Sequence, residues 1–191
     1  HDELRDLLVR RRGESRGIKL ANRIGRALPA SYIEEVTPEI AADDVEHLAA
    51  LAGPEDLRLS LYRGRGGEAG SLRFKLFRQD RDIPLSDVMP MMENMGLRIL
   101  TEHPYVLTVG DGKVVIQDFA VEAMRGDVDV EAAAARFEAA FERVWRGDAE
   151  SDGFNRLILL SGLDWRQVSM LRAYCKFLLQ AGVPFSQAYM E

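Results

Sequence analysis

The stretch "RQDRDIPLSDV", residues 78–88, gathers Arg78, Asp80, Arg81 and Asp82 just ahead of an expected helix start near Ser86. Helix starts offer unpaired backbone amides and the positive end of the helix dipole to an anionic group. Arg78, Asp80, Asp82 and Ser86 are therefore the candidate residues for a small effector, against the simpler reading of a capped helix start with solvated charges. His47 stands one helical turn after Asp43, a spacing that can hold a metal on a helix face, but further ligands do not appear, so no metal site is expected. His103 precedes Pro104 and has no cysteine or serine partner in a recognisable motif. "GRGGEA", residues 64–69, fits the G-x-G-x-x-A dinucleotide fingerprint. That motif works only when a helix follows, and here "SLRFKLF" reads as a strand, so a flexible hairpin connection is expected instead. No G-K-[ST] occurs, which removes a nucleotide P-loop. Cys175, between Leu171 and Leu178 on an apolar helical stripe, reads as a buried and inert thiol. No catalytic, cofactor-binding or metal-binding residue follows from these patterns.

Composition narrows the classes further. With 191 residues, 47% hydrophobic and 29% charged, the chain has the profile of a folded soluble protein of one large or two small domains. A net charge of −6 argues against a general nucleic-acid binder. RNA binding through a sheet finds little support either, because "LRFKLF" lacks the glycine pattern of that signature. The basic residues Arg10, Arg11, Arg12, Arg16, Lys19 and Arg23 form either a solvated helical face or a docking site for an acidic partner. No apolar run approaches the roughly 20 residues a membrane helix needs. A single cysteine leaves no intrachain disulfide, so a cytoplasmic location is expected. The missing initiator methionine and the abrupt "FSQAYME" suggest a segment of a longer protein.

The elements that must position these residues follow from hydrophobic period. "IKLANRIGRALP" places Leu20, Ile24, Ala27 and Leu28 on one helical face. "TPEIAADDVEHLAALAGP" has Thr37 as N-cap, Pro38 in the first turn, a stripe of Ala41, Val45, Leu48 and Ala52, and Gly53-Pro54 as its stop. The period then drops to two in "LRLSLYR" and "LRFKLF", a hairpin. "IPLSDVMPMMENMG" returns to helical spacing, with Leu85, Val88, Met89, Met92 and Met95 on one face, Pro90 early and Gly96 closing it. That stripe reads as a packed helix rather than a methionine-lined groove. "LRILTEHPYVLTV" and "KVVIQDFAV" form a second hairpin about "GDG". After "RGDVD", the alanine-rich 130–147, the short 152–163 and a helix from Asp164, with Gln167 in capping-box spacing, read as a helical unit. Trp145, Trp165 and Tyr174 are expected in its core, and any aromatic left exposed marks where a missing partner sits.

The order α-β-β-α-β-β from Thr37 to Val121 predicts an α+β, ferredoxin-like and ACT-like sandwich: a four-stranded antiparallel sheet with two helices on one face, then a small all-α unit. The expected divisions are 1–36, an N-terminal helical segment; 37–124, the sandwich; and 125–191, the helical unit.

Two stretches carry a resemblance. "RFKLFRQDRDIPLSDVMPMMENMGLRILTEHPY" and "FERVWRGDAESDGFNRLILLSGLDWRQVSMLRAYCKFLLQAGVPFSQAYME" resemble the large bacterial NAD-specific glutamate dehydrogenases, with "DGFNRL", "LDWRQV" and "MLRAY" the most specific parts. The match runs from about Leu57 to Glu191. The resemblance implies a long polypeptide that converts L-glutamate to 2-oxoglutarate and ammonia with NAD, with ACT-like regulatory modules ahead of its catalytic core. This chain looks like the last such module and the helical lead-in. NAD would be bound by the full-length parent, not by this segment, and the implied partners are the parent's own catalytic domain, neighbouring subunits of a homo-oligomer and an amino-acid effector. Nothing here corresponds to the family's Rossmann unit or its catalytic lysine and aspartate. The glycine that lines many ACT effector pockets is missing from "RQDRDIPLSDV". An alternative is a free-standing ACT-like amino-acid sensor or protein-interaction module.

Overall fold

The computed structural model describes residues 1–64 and 72–190, so the fingerprint-like "GRGGEA" lies outside the described residues beyond Gly64. Strands β1 (Leu57–Arg63) and β2 (Leu72–Gln79) pair antiparallel, with Leu61 opposite Phe74. Strands β3 (Leu97–Val109) and β4 (Gly112–Ala123) form a second hairpin through Gly110 and Asp111, and Gly110 takes φ 64°, which the tight turn requires. Antiparallel pairing of β2 with β4 joins the hairpins, giving the sheet order β1-β2-β4-β3.

Each face of the sheet carries its own helical layer. On the front, Leu57, Leu59, Leu61, Phe74 and Leu76 meet α5 (Leu85–Asn94) and α6 (Val130–Trp145). Phe74 makes edge-on contacts with Phe137 at 5.1 Å and with Phe141 at 5.0 Å. Asp129 caps α6 by accepting a hydrogen bond from the Ala132 amide. Helix α5 buries Val88, Met91 and Met92, and Met95 just past its end is buried with them, so these methionines fill core volume. The buried stripe is turned slightly from the expected one: Leu85 is exposed and Met91 replaces Met89 on the inner face. Pro90 is the sixth residue of the helix rather than part of its first turn, so it removes one internal backbone hydrogen bond.

The rear layer is α1 (Asp2–Arg12), α2 (Glu14–Arg23), α3 (Ala30–Glu35) and α4 (Pro38–Ala50). It packs Leu8, Ile24, Tyr32 and Val45 against Phe77, Leu107, Val114 and Ile116. Helices α1 and α2 approach so closely at Gly17 that a Cβ there would lie 2.5 Å from the Val9 Cα. Thr37 caps α4 as expected, accepting from the Ile40 amide at 3.3 Å. Arg11 pairs with Asp43 at 2.5 Å and Arg12 with Glu46, so part of the basic run meets acids of α4 within the chain.

Two helices do cover one face, but the pair differs from the expected one. The order of elements predicted α4 beside α5; the structure puts α4 behind the sheet and brings α6 round to the front. Both central strands are buried on both faces, because "FKLF" and "VVI" supply apolar side chains to front and back alike. An order of helices and strands says nothing about which face each helix takes when either would bury it.

Beyond α6, a 3-10 turn (Gly153–Arg156) leads to α7 (Leu157–Leu160), α8 (Trp165–Gln180) and α9 (Gln187–Met190). Asp164 and Gln167 form the expected capping box. The inner face of α8 is Val168, Arg172 and Cys175; Leu171 and Leu178, expected on it, are exposed. Arg172 takes the central position because Asp152 receives it through two hydrogen bonds, of 2.5 and 2.7 Å, and Asn155 through a third of 2.7 Å.

Candidate functional site

Strand alternation sends Arg73, Lys75 and Phe77 of β2 and Ile116 and Asp118 of β4 to the rear face. Where the helices cover that face, Lys75 is fully buried and its Nζ lies 2.7 Å from the Asp44 carboxylate of α4 and 2.7 Å from the Tyr32 hydroxyl of α3. Tyr32 in turn donates to Asp44. The ammonium sits 4.9 Å from the Tyr32 ring centre and 4.8 Å from that of Tyr62. Asp118, 3.9 Å from the same ammonium, is held by the Arg73 guanidinium through Nε at 3.0 Å and Nη2 at 2.8 Å.

Burial pushes the Asp44 carboxyl above its ordinary range, and the pull of Lys75 in the other direction is smaller. Burial, followed by the neighbouring acids, raises the Tyr32 and Tyr62 hydroxyls well beyond physiological titration. Burial works against the Arg73 cation, but hydrogen bonding and charge from Asp118 outweigh it and leave the guanidinium more firmly protonated. Two cations thus face two carboxylates in a closed set. Such a set fixes the rear helices in register with the sheet and presents no free base or nucleophile for chemistry. Beside it, where α3 ends and α4 begins, a cleft of about 360 Å³ opens over Tyr62, Arg73 and Asp118, walled by Glu35, Ile40 and Leu100.

None of these residues is among those singled out from sequence. Arg73 and Lys75 alternate with apolar residues as a solvated strand face would, which conceals their burial. The one available signal was Asp118, an acid in the middle of the apolar run "VVIQDFAV".

The expected effector residues are placed as follows. Asp80 and Asp82 come together on Lys113 of β4: the Asp80 carboxylate accepts from the Lys113 amide at 2.9 Å and Asp82 pairs with its Nζ at 2.8 Å. Asp80 takes φ 55°, a left-handed turn position that aspartate tolerates. Ser86 lies in the first turn of α5 and donates to Asp87 at 3.2 Å. Arg78 is turned to the front, donating to the Pro54 carbonyl at 3.2 Å with its guanidinium 5.5 Å from the Trp145 ring centre. His47 stacks on Phe77 at 5.1 Å, and burial lowers its pKa. Among the described residues no group of three or more His, Cys, Asp or Glu could hold a metal ion. Cys175 is buried, with its Sγ 3.8 Å from the Met190 Sδ.

Glu138 of α6 reaches the outer side of β1 and accepts the Leu61 amide at 2.8 Å. Burial raises its pKa above the ordinary 4.5. A carboxyl raised in the folded state binds more protons folded than unfolded, so its contribution to stability is present at low pH and is lost as pH climbs from 4.5 through the folded value. Glu138→Gln keeps the acceptor and removes the charge. It is expected to match the parent at pH 4 and to exceed it by about 0.5–1 kcal/mol at pH 8 in urea unfolding.

The comparisons with known proteins cover nearly the whole chain. Residues 7–51 match the family described as glutamate dehydrogenase, helical motif 2; residues 56–133 match its ACT3 domain; residues 149–191 match its helical motif 3. The ACT3 span contains all four strands, α5 and the start of α6, the front half of the sandwich. Among curated proteins, the NAD-specific glutamate dehydrogenase of Halomonas elongata is 40% identical over 99% of this chain, and that of Pseudomonas aeruginosa is 37% identical over 99%. The protein of the same name from Mycobacterium tuberculosis is 36% identical over 86%. The chain spans only 10–12% of the length of these relatives. With helical motif 2, the ACT3 domain and helical motif 3 in that order, and with identity sustained from end to end, the chain belongs to the NAD-specific glutamate dehydrogenase family.

Proposed function

We propose that the chain is a non-catalytic regulatory and assembly segment of an NAD-dependent glutamate dehydrogenase, which in its full length converts L-glutamate, NAD and water to 2-oxoglutarate, ammonia and NADH. The observation that supports this most directly is the unbroken match of all three modules to about one eighth of the relatives' length. The closed charge set on the rear face agrees with it, since it holds elements together and leaves nothing to react. Within this reading NAD belongs to the full-length protein, the partners are its catalytic domain and neighbouring subunits, and the location is cytoplasmic. The chain divides into a leading helical segment, the sandwich and a trailing helical unit, with α6 counted in the sandwich.

The experiment is NADH formation from glutamate, measured for the full-length polypeptide and for residues 1–191. Turnover by the full-length protein alone is expected. Turnover by the 191-residue chain, or none by the full-length protein, overturns the proposal. Regulation through the β2–α5 junction would require an effector to compete with Lys113 for Asp82. Calorimetry with amino acids and 2-oxoglutarate on the parent and on Asp82→Asn tests that part separately.

A further inference from the structure

Where the guanidiniums of Arg73 and Arg172 go under cover, each meets a carboxylate, that of Asp118 and that of Asp152. Arg156, the last residue of the 3-10 turn, does not. Its Nε is shut off from solvent and has neither an acceptor nor an ion-pair partner among the described residues. A buried N–H without an acceptor costs the desolvation of that group, so folded proteins rarely keep one unless something else completes it. A small cavity of about 40 Å³ lies beside it, lined by Gly96, Met124, Arg125, Arg156 and Leu160. Arg125 is exposed, stands just past the end of β4 and also lacks an acid partner among the described residues. Two arginines thus border one space with no carboxylate in its lining, and their planar forks of N–H donors suit a pair of anionic oxygens. The backbone builds this corner. Gly96, at φ 88°, turns the chain from α5 into β3 close against the 3-10 turn, where a Cβ would lie 3.4 Å from the Arg156 Cβ. The Gly96 carbonyl accepts from the Met124 amide at 2.9 Å, which brings Arg125 to the same corner, and Asn94 donates to the Ser151 hydroxyl at 3.0 Å across the seam.

We infer that this corner binds a small oxyanion, a carboxylate or a phosphate group, between Arg125 of the sandwich and Arg156 of the trailing helical unit. At the roughly 10–15 Å³ that one water needs, the cavity takes about three, enough for the oxygens of one acidic group and too little for a nucleotide. The rest of a larger ligand would lie on Met124 and Leu160, apolar residues of the lining that are themselves exposed. None of the residues expected to bind an effector, Arg78, Asp80, Asp82 and Ser86, lines this cavity. The two arginines fall in different matched spans, Arg125 in the ACT3 domain and Arg156 in helical motif 3, so an oxyanion between them pins one module to the other. The inference uses this corner alone and stands whether or not the dehydrogenase reading does.

The test titrates inorganic phosphate into residues 1–191, at constant ionic strength made up with chloride, and follows the Arg156 Nε–H and the Gly96 amide by NMR. Both signals should shift saturably, and Arg125→Gln should weaken the binding about tenfold, the effect of losing one charge-assisted hydrogen bond. Because Arg125 is exposed, that variant should unfold in urea as the parent does. Shifts that do not saturate, or a midpoint unchanged in Arg125→Gln, overturn the inference. Modification of Arg125 and Arg156 by phenylglyoxal in the full-length polypeptide separates the two sources of the oxyanion. Protection that requires added phosphate supports a free ligand, and protection of both arginines without phosphate supports an acidic side chain of the longer protein. Both arginines modified as fast as free arginine, with phosphate and without it, overturn the inference.

Discussion

Lys75→Met is expected to lower the unfolding free energy of the chain by about 3–5 kcal/mol, because it strips the ammonium from beneath two buried carboxylates and leaves Asp44 with only the Tyr32 hydroxyl. The loss should depend on pH. Asp44 already sits above its ordinary value of 3.8, and without Lys75 the downward pull on it is gone. A carboxyl raised in the folded state stabilises below its unfolded pKa and loses that contribution as pH rises through its folded pKa. The variant should therefore be closest to the parent near pH 4 and furthest from it at pH 8. Adding Asp44→Leu should recover most of the deficit at pH 8, since an apolar pair replaces an orphaned charge. Urea unfolding followed by far-UV circular dichroism at the two pH values reads both effects. Equal losses at pH 4 and pH 8 would show that Lys75 acts through packing alone.

Phe137→Ala should cost a similar amount, about 3–5 kcal/mol, by opening a cavity between Phe74 and Phe141 at the centre of the front layer. Its value lies in locating the edge of the folding unit. If α6 belongs to the sandwich, the variant loosens the sheet, and strand β2 amides should exchange with solvent faster in hydrogen–deuterium measurements. If α6 belonged to an independent trailing unit, exchange in β2 would stay as in the parent. By the same logic a chain cut at residue 124 should not fold, because Phe74, Met92 and Met95 would lose one wall of their core.

The strands, their pairing partners and most helix ends were legible because each is written locally, as a period of two, a period of 3.6, a cap or a turn. Thr37, Asp164 with Gln167, Gly96 and the Gly110-Asp111 turn all occur where their chemistry predicts. The assignment of helices to faces was not legible, since it depends on how two doubly buried strands share their apolar side chains between layers. The rear charge set was hidden for a related reason. Lys75 and Arg73 look like a wetted strand face until a helix carrying Asp44 lies over them, and that meeting joins residues 31 positions apart. Arg172 misled in the opposite sense: it displaced Leu171 and Leu178 from the core because Asp152 could receive it. At "RQDRDIPLSDV", clustering in sequence joined only Asp80 and Asp82, while Arg78, on the front face, took partners of its own.

The carboxylate of Glu138 on the Leu61 amide has a bearing on crowding as well as on stability. Any foreign strand laid along β1 would have to evict that side chain and leave it without a partner, so lateral growth from this margin is penalised. Extension of the sheet is thereby steered toward its other edge, β3.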